Sequence, residues 1–369
     1  MSGEHTGRIR EMIRKEFLHV RRDHRLWRLL FIAPLIQLMI FGYAVSTDVR
    51  NTATVVVDLS HTQEARDLID AFTASGYFRI VARSTRPADA VQALDHGDAL
   101  AALVIPVDFA TALGQGHATV QLLLDGTQSN SATVAQGYAE RIVQEYAIAA
   151  AGNIRLAIDL RARAWFNPDL LSRNYNVPAV AGTIVFLMSL ILTALAVVRE
   201  REIGTLEQLM VSPLTPFELI GGKTIPFALF AFVDVLLVTG AALFWFGVPF
   251  VGSLWQLMLA SLLFILSGLG VGLLISTVSK TQQQAFLTTF LVFMPIMLLS
   301  GFMFPVNSMP KIFQWLTLVN PMRHYLEIVR SIFLKGAGIA PLWHQYAVLA
   351  VLGIVTLIFA ASRFRKVAG

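Results

Sequence analysis

Gly222-Lys223-Thr224 has the ending of a phosphate-binding loop, in which glycine amides wrap the phosphates and a lysine neutralises them. The first glycine of that motif would fall at position 217, which is Phe217, and no buried strand leads into the segment. Nucleotide binding by this chain is therefore not expected, and Lys223 reads instead as an anchor at a membrane interface. Asp95-His96-Gly97-Asp98 and Asp125-Gly126-Thr127 offer clustered carboxylates, the raw material of metal or acid-base chemistry. Both fall where turns are expected, without HExxH spacing or a nucleophile triad, so a lid or partner-docking role is the better reading of their surroundings. Asp234 sits in the middle of an apolar run, where a carboxylate costs at least about 2.5 kcal/mol unless it is paired or faces water. A hydrogen-bonded packing role and a role in a pathway or proton-linked step both stay open, with no basic residue at comparable depth. Cysteine is absent, which excludes disulfides and thiol chemistry. No catalytic residue, metal site or cofactor bound by this chain is expected.

The elements that must position these groups are set by composition. Of 369 residues 55% are hydrophobic and only 14% charged, too apolar for an ordinary soluble domain. The net charge of +5 does not argue for nucleic acid, because topology explains the basic residues better. Residues 1–28 interleave eight Lys and Arg residues with Ile9, Met12, Ile13, Phe17 and Leu18, the pattern of an amphipathic helix on a membrane surface. Apolar runs at 29–46, 177–198, 225–248, 254–276, 285–304 and 346–361 predict six spans, the first an uncleaved anchor. Residues 47–176 change character. Strands are predicted at 54–58, 77–82, 99–106 and 119–124, helices between them and a long helix from 131 to 165, an inserted α/β domain with its own core. The expected fold is thus membrane α-helical. The N-terminal basic residues together with Arg199, Arg201, Lys223, Lys280, Arg363, Arg365 and Lys366 place both termini in the cytoplasm and the α/β domain outside. Lys311, Arg323, Arg330 and Lys335 run against that rule but are outnumbered.

Between the second and third spans lies a charged insert, residues 199–224, that cannot stay in hydrocarbon. Ile203, Leu206, Leu209 and Met210 share a helical face, which predicts that the preceding span runs on until Pro213. Thr215 is placed to cap a short second helix, with Pro216 in its first turn and Phe217, Glu218, Leu219 and Ile220 following before Gly221-Gly222. From charge pattern alone Glu200, Glu202 and Glu207 read as a solvated helix face. The string R-E-R-E-x-G-T-L-E-Q-L-M-V-S-P followed by L-I-G-G-K resembles the permease subunits of type-2 ABC exporters. KEFLHVRRDHRLW with FIAPLIQLMIFGYA, GVGLLISTVSKTQQQAF, and the stretch from Leu298 to Gly336 add to that resemblance. It covers the N-terminal helix and nearly all of the membrane part, and the outer domain less clearly. It implies that Pro216 to Ile220 form the coupling helix seated in a groove of a separate ATPase. Gly204, Thr205 and Glu207 match the family's loop and would help transmit ATPase closure to the spans.

Pro305, Pro310 and Pro321 cut the last outer loop, 305–344, into helical pieces whose Ile312, Phe313, Trp315, Leu316 and Leu318 suit a membrane interface. Arg323, Glu327 and Arg330 are spaced to pair along one helix, and by resemblance they belong to a re-entrant region that helps close the pathway. Gly268 and Gly272 give a G-x-x-x-G spacing that suits packing either within one chain or across a dimer. The resemblance implies the permease of an ATP-driven exporter of the bacterial drug-efflux branch in the inner membrane. It would work with two ATPase copies that carry ATP and magnesium and with a second permease, identical or different, and it leaves open a periplasmic adaptor. The apolar interior favours amphipathic or lipid-like cargo such as drugs. A membrane-anchored receptor or assembly scaffold, with a ligand-binding outer domain and no ATPase partner, is the rival reading.

Overall fold

The computed structural model describes residues 2–44, 51–150, 166–167, 171–204 and 216–368. They fall into two compact units, Met1–Ser46 with Ala164–Gly369, and Thr47–Arg163. The chain opens with α1 (Ser2–Arg22), whose Met12, Glu16 and Val20 share a buried face at four-residue spacing while Arg10, Arg14 and Arg21 are exposed. A single turn of helix, His24–Trp27, and a π-helical stretch, Arg28–Ile32, lead into α2 (Ala33–Ala44).

The second unit is a four-stranded sheet, β1 (Thr52–Asp58), β2 (Phe78–Ser84), β3 (Ala101–Ile105) and β4 (Gln121–Leu124), in the order β2-β1-β3-β4. β1 runs parallel to both β2 and β3, and β4 is antiparallel to β3. Parallel neighbours require crossovers, which α3 (Gln63–Ala74) and α4 (Pro87–Asp95) supply. α5 (Phe109–Gly114) and α6 (Ser129–Ala150) complete the unit. Strand alternation sorts the two faces. Val56, Leu103 and Ile105 pack with Leu68, Phe72, Ala135 and Ala139, while Val55, Val57 and Ala102 pack with Ala90 and Ala99. Each such Leu or Phe stabilises the fold by about 1.5–3 kcal/mol relative to exposure. The expected strands are each found within a few residues of their predicted limits. The long helix predicted to reach 165 is described as far as Ala150.

Back in the first unit, α7 (Ser172–Ile203) is buried on all sides from Asn176 to Ala194. Lipid chains are as apolar as leucine, so such a helix is held by close packing more than by hydrophobic burial. Its Thr183, Ser189 and Thr193 hydroxyls each donate to the carbonyl four residues back at 2.8 Å, which satisfies those three buried donors within the helix. Around it stand α8 (Pro216–Phe244), α9 (Leu254–Val278) and α10 (Gln282–Leu298). α2 and, after the six-residue α11 (Lys311–Leu316), α12 (Pro321–Arg330) also pack on α7. The final helix, α13 (Ile339–Ala368), packs along α9.

Among the described residues four helices are long and apolar enough to cross a membrane: Ser172–Ile203, Gly221–Phe244, Leu254–Val278 and Ile339–Arg363. The segments expected as first and fifth spans are shorter apolar helices, Leu30–Ala44 and Gln282–Leu298. The latter turns at Ser300-Gly301, where Gly301 takes a φ of 78°, so the predicted run to Phe304 ends early. The G-x-x-x-G glycines turn inward. A Cβ on Gly272 would lie 2.9 Å from the Leu190 carbonyl oxygen, and one on Gly268 3.0 Å from Ser189 Cβ, while Gly270 faces Thr356. Packing within one chain therefore uses both faces of this glycine cluster. Gly272→Val should lower unfolding stability by about 1–3 kcal/mol through overpacking. Gly240→Ala, where a Cβ meets open space, should be neutral or stabilising in the same micelle unfolding assay; equal behaviour of the two would refute the close contact.

Candidate functional site

Arg199-Glu200-Arg201-Glu202 closes α7, and successive helical side chains point about 100° apart, so four in a row sample the whole circumference. Each reaches a different neighbour. Arg199 Nη1 lies 3.6 Å from Asp23 Oδ2, just past the end of α1. Glu200 Oε1 accepts from Lys15 Nζ at 3.0 Å, and its Oε2 lies 2.5 Å from Lys223 Nζ on α8. Arg201 Nη1 donates to the carbonyls of Ser276 and Ser279, at 3.0 and 2.8 Å, where α9 ends. Glu202 Oε2 accepts from Gln282 Nε2 at 2.8 Å, where α10 begins. One turn of helix thus ties α1, α8 and the α9–α10 turn together. That turn is itself closed by Gln284, whose N–H donates to the Thr281 hydroxyl while its side chain accepts from the Lys280 N–H.

Lys223 stands at the centre of this cross-tie. It is 2% exposed, donates to the Ala196 carbonyl at 3.3 Å and lies 3.9 Å from Glu16 Oε1 besides its contact with Glu200. The expectation that Lys223 anchors at the interface is corrected: two carboxylates in the protein take the place of headgroup and water. Glu200 is likewise not on a solvated face, whereas Glu202 stays exposed while it accepts from Gln282. The sequence reading missed Lys15, Glu16, Asp23 and Gln282 as members of this site; the first three signalled only by charge opposite to their partners Glu200, Lys223 and Arg199, and Gln282 gave no signal.

The insert also differs from its predicted form. α7 ends at Ile203, with Gly204 left-handed at φ 82° and its N–H on the Arg201 carbonyl, so the described helix does not continue toward Pro213. Thr205 and Glu207 lie outside the described residues. Pro216, Phe217, Glu218, Leu219 and Ile220 are not a separate short helix; they are the first turns of α8, which passes through Gly221-Gly222 and Pro226 unbroken. The physical reason is packing. A Cβ on Gly222 would lie 2.8 Å from Met12 Sδ, so the glycine admits α1 rather than ending the helix, and Phe17 meets Phe230 one level further on with ring centroids 4.9 Å apart. Glu218 is buried.

Asp234 is buried on the face of α8 that carries Phe230, Ala231 and Val238, and neither carboxyl oxygen has a hydrogen-bond partner among the described residues. The other chemical candidates are turns. Asp125 accepts from the N–H and hydroxyl of Thr127, at 2.9 and 2.7 Å, and these bonds hold its carboxyl below the ordinary range; Asp95 ends α4, and the Asp98 N–H donates to the Ala93 carbonyl.

At the opposite end of α7, Pro305 precedes a 3-10 turn at Val306–Ser308, Pro310 precedes α11 and Pro321 opens α12. Arg323, Glu327 and Arg330 do not pair with one another, which corrects the expected ladder. Arg323 donates to the Thr317 hydroxyl and Glu327 accepts from Gln345 Nε2 at 2.9 Å. Arg330 donates to the Gly301 carbonyl at 3.1 Å and stacks over the Tyr175 ring at 3.6 Å. Tyr325, also missed, stacks on Phe264 with ring centroids 4.0 Å apart, and Phe264 stacks on Phe186. Its hydroxyl lies 2.9 Å from Ser261 Oγ, and its ring fills the space left by Gly182.

Several long apolar helices, bound to one another at a charged end, define an α-helical multi-pass membrane protein. Residues 25–362 match the model of the ABC-2 family transporter proteins. The probable multidrug ABC transporter permease YbhR of Escherichia coli strain K12 is 34% identical, over 97% of this chain and 98% of the relative. The probable multidrug ABC transporter permease YbhS of the same strain is 33% identical, over 97% and 94%. The inner membrane transport permease YhhJ is 29% identical, over 91% and 93%. The chain belongs to the ABC-2 family of transporter proteins, and it is the permease subunit of an ABC exporter.

Lys223→Met leaves the buried Glu16 without its cation and Glu200 with Lys15 alone, and should cost about 3–5 kcal/mol, with Glu200→Gln in the same chain recovering part of it, as read by thermal unfolding in micelles. Asp234→Leu removes an unpartnered buried carboxyl and should raise stability by about 1–3 kcal/mol; a lower melting temperature would reveal a partner for it.

Proposed function

We infer that this permease spans the bacterial inner membrane six times, with both termini cytoplasmic and the α/β domain, residues 47–176, outside. The cross-tie supports that orientation, because it gathers Lys15, Arg199, Arg201 and Lys223 at one end of the bundle, the end the positive-inside rule puts in the cytoplasm. The contrary arginines are accounted for, since Arg323 and Arg330 are held by protein acceptors. The two short apolar helices would reach across with help from the polar residues that follow them.

Two copies of an ABC ATPase, which bind ATP and magnesium, sit beneath two permease chains, identical or different. Residues 199–224 receive the push of ATPase closure, with Glu207 and Pro216 to Ile220 as the contact surface and Gly204 as the joint. The single observation that carries this reading is the cross-tie itself. Both ends of the loop, Glu200 and Lys223, are bound to each other and to α1, so a displacement of the loop acts on several helices at once. Pro305, Pro310, Pro321, Arg323, Glu327 and Arg330 then belong to an outer closure that opens as the inner side shuts. The cargo is amphipathic or lipid-like, in line with relatives named as probable multidrug permeases. The outer domain is free to meet a periplasmic adaptor.

Glu207→Ala and Phe217→Ala should each lower ATPase affinity or ATP-coupled vesicle transport by about tenfold, the size of an interface hot spot. Undiminished co-purification and coupled transport in both variants would refute the assignment, and transport without any ATPase would refute the class of mechanism.

A further inference from the structure

A cavity of about 770 Å³ opens between α1, the π-helical stretch that precedes α2 and the end of α7, beside the cross-tie. Its volume lies in the range of sites that enclose drug-sized ligands. The wall on α7 is one helical stripe, Leu192, Leu195, Ala196 and Arg199, which passes from apolar to cationic along the helix. Leu30 and Phe227, both nearly fully buried, complete the apolar floor.

The rim is charged and unbalanced. Its carboxylates are already engaged: Glu16 with Lys223, Glu200 with Lys15 and Lys223, and Glu11 with Arg14. The last of these pairs is loose, at 3.8 Å with both side chains about 70% exposed, and exposed pairs of that kind exchange readily for a better anion. Arg22 also lines the rim, and it has no partner among the described residues. A cavity with a greasy floor and a rim with a spare guanidinium matches one chemistry, an anion at the head of a hydrocarbon tail. The planar fork of arginine suits a phosphate or carboxylate head, and the membrane-surface position of α1 gives such a molecule access from the leaflet.

We propose that this cavity is a binding site for an anionic amphiphile, with Arg22 and Arg14 on the head and Leu192, Leu195 and Phe227 against the tail. The site rests on the reading of α1 as lying at the inner leaflet; it does not require that the occupant be transported. Resident anionic phospholipid and anionic cargo on its way into the protein share this chemistry.

The test is native mass spectrometry of the full-length protein after exchange into equal amounts of phosphatidylglycerol and phosphatidylethanolamine. Phosphatidylglycerol should be retained preferentially, and dodecyl phosphate should displace it. Arg22→Glu should reduce that preference by about fivefold or more, the effect of a basic residue near an anionic surface. Ala196→Trp, which fills the cavity from its α7 wall, should abolish retention; Arg22→Glu, at an exposed position, serves if that variant does not fold. Equal retention of the two lipids, or phosphatidylglycerol retention untouched by both substitutions, would overturn the site. A second arm offers a fluorescent alkyl phosphate to vesicles holding the permease and its ATPase. ATP-driven uptake lost in Ala196→Trp supports the site as a cargo entry, and retention without uptake supports it as a resident-lipid site. A failure of transport altogether leaves the binding result standing and bears on the exporter reading instead.

Discussion

A lysine ammonium taken out of water must be answered by charge within the protein, and in this chain the requirement falls on Lys223. Glu200 and Glu16 meet it, and they come from helices far apart in sequence. The register of α1 against α7 and α8 is therefore set by electrostatics as well as by packing. Slide α1 by one residue and Glu16 leaves Lys223 while Met12 leaves the notch at Gly222. The remaining ties at this end, Arg201 to the carbonyls where α9 stops and Glu202 to Gln282, then fall into place because all leave from the same turn of α7.

What could be read from the chain depended on whether a local pattern decided the outcome. The long apolar runs of α7, α8 and α9 announce themselves, and so do the alternating strands of the sheet, because hydrophobic periodicity is a local property. Gly221-Gly222 misled for the opposite reason. In isolation two glycines weaken a helix, and only the approach of Met12, more than two hundred residues away in sequence, makes Gly222 a contact rather than a break. The same holds for Arg323, Glu327 and Arg330. Their spacing permits pairing, but carbonyls at the turn after α10 and the Tyr175 ring compete for the guanidinium and win. Lys15 and Glu16 were unreadable as site residues because a basic amphipathic helix looks the same whether it lies on lipid or on protein.

The glycines of α9 also restrict how two copies of the permease could meet. Gly268 and Gly272 are occupied by α7, and Gly270 by α13, so the closest-packing faces are consumed inside the chain. Large apolar side chains stay uncovered on α10, at Leu287 and Leu291, and on α13, at Val351, Ile354 and Ile358, as well as on α2, at Ile36 and Ile40, and on α8, at Leu229, Val233 and Leu236. These are broad surfaces of large side chains, suited to lipid or to a second bundle of similar texture, and not to the tight crossing that paired glycines permit.

The unbroken course of α8 has a mechanical meaning. From Pro216 to Asp234 the backbone is one helix, a strut of about 27 Å at 1.5 Å per residue. Pro226 lies inside that stretch, and the helix continues past it. A displacement along the axis at the foot of α8 would therefore be carried to the buried carboxyl of Asp234.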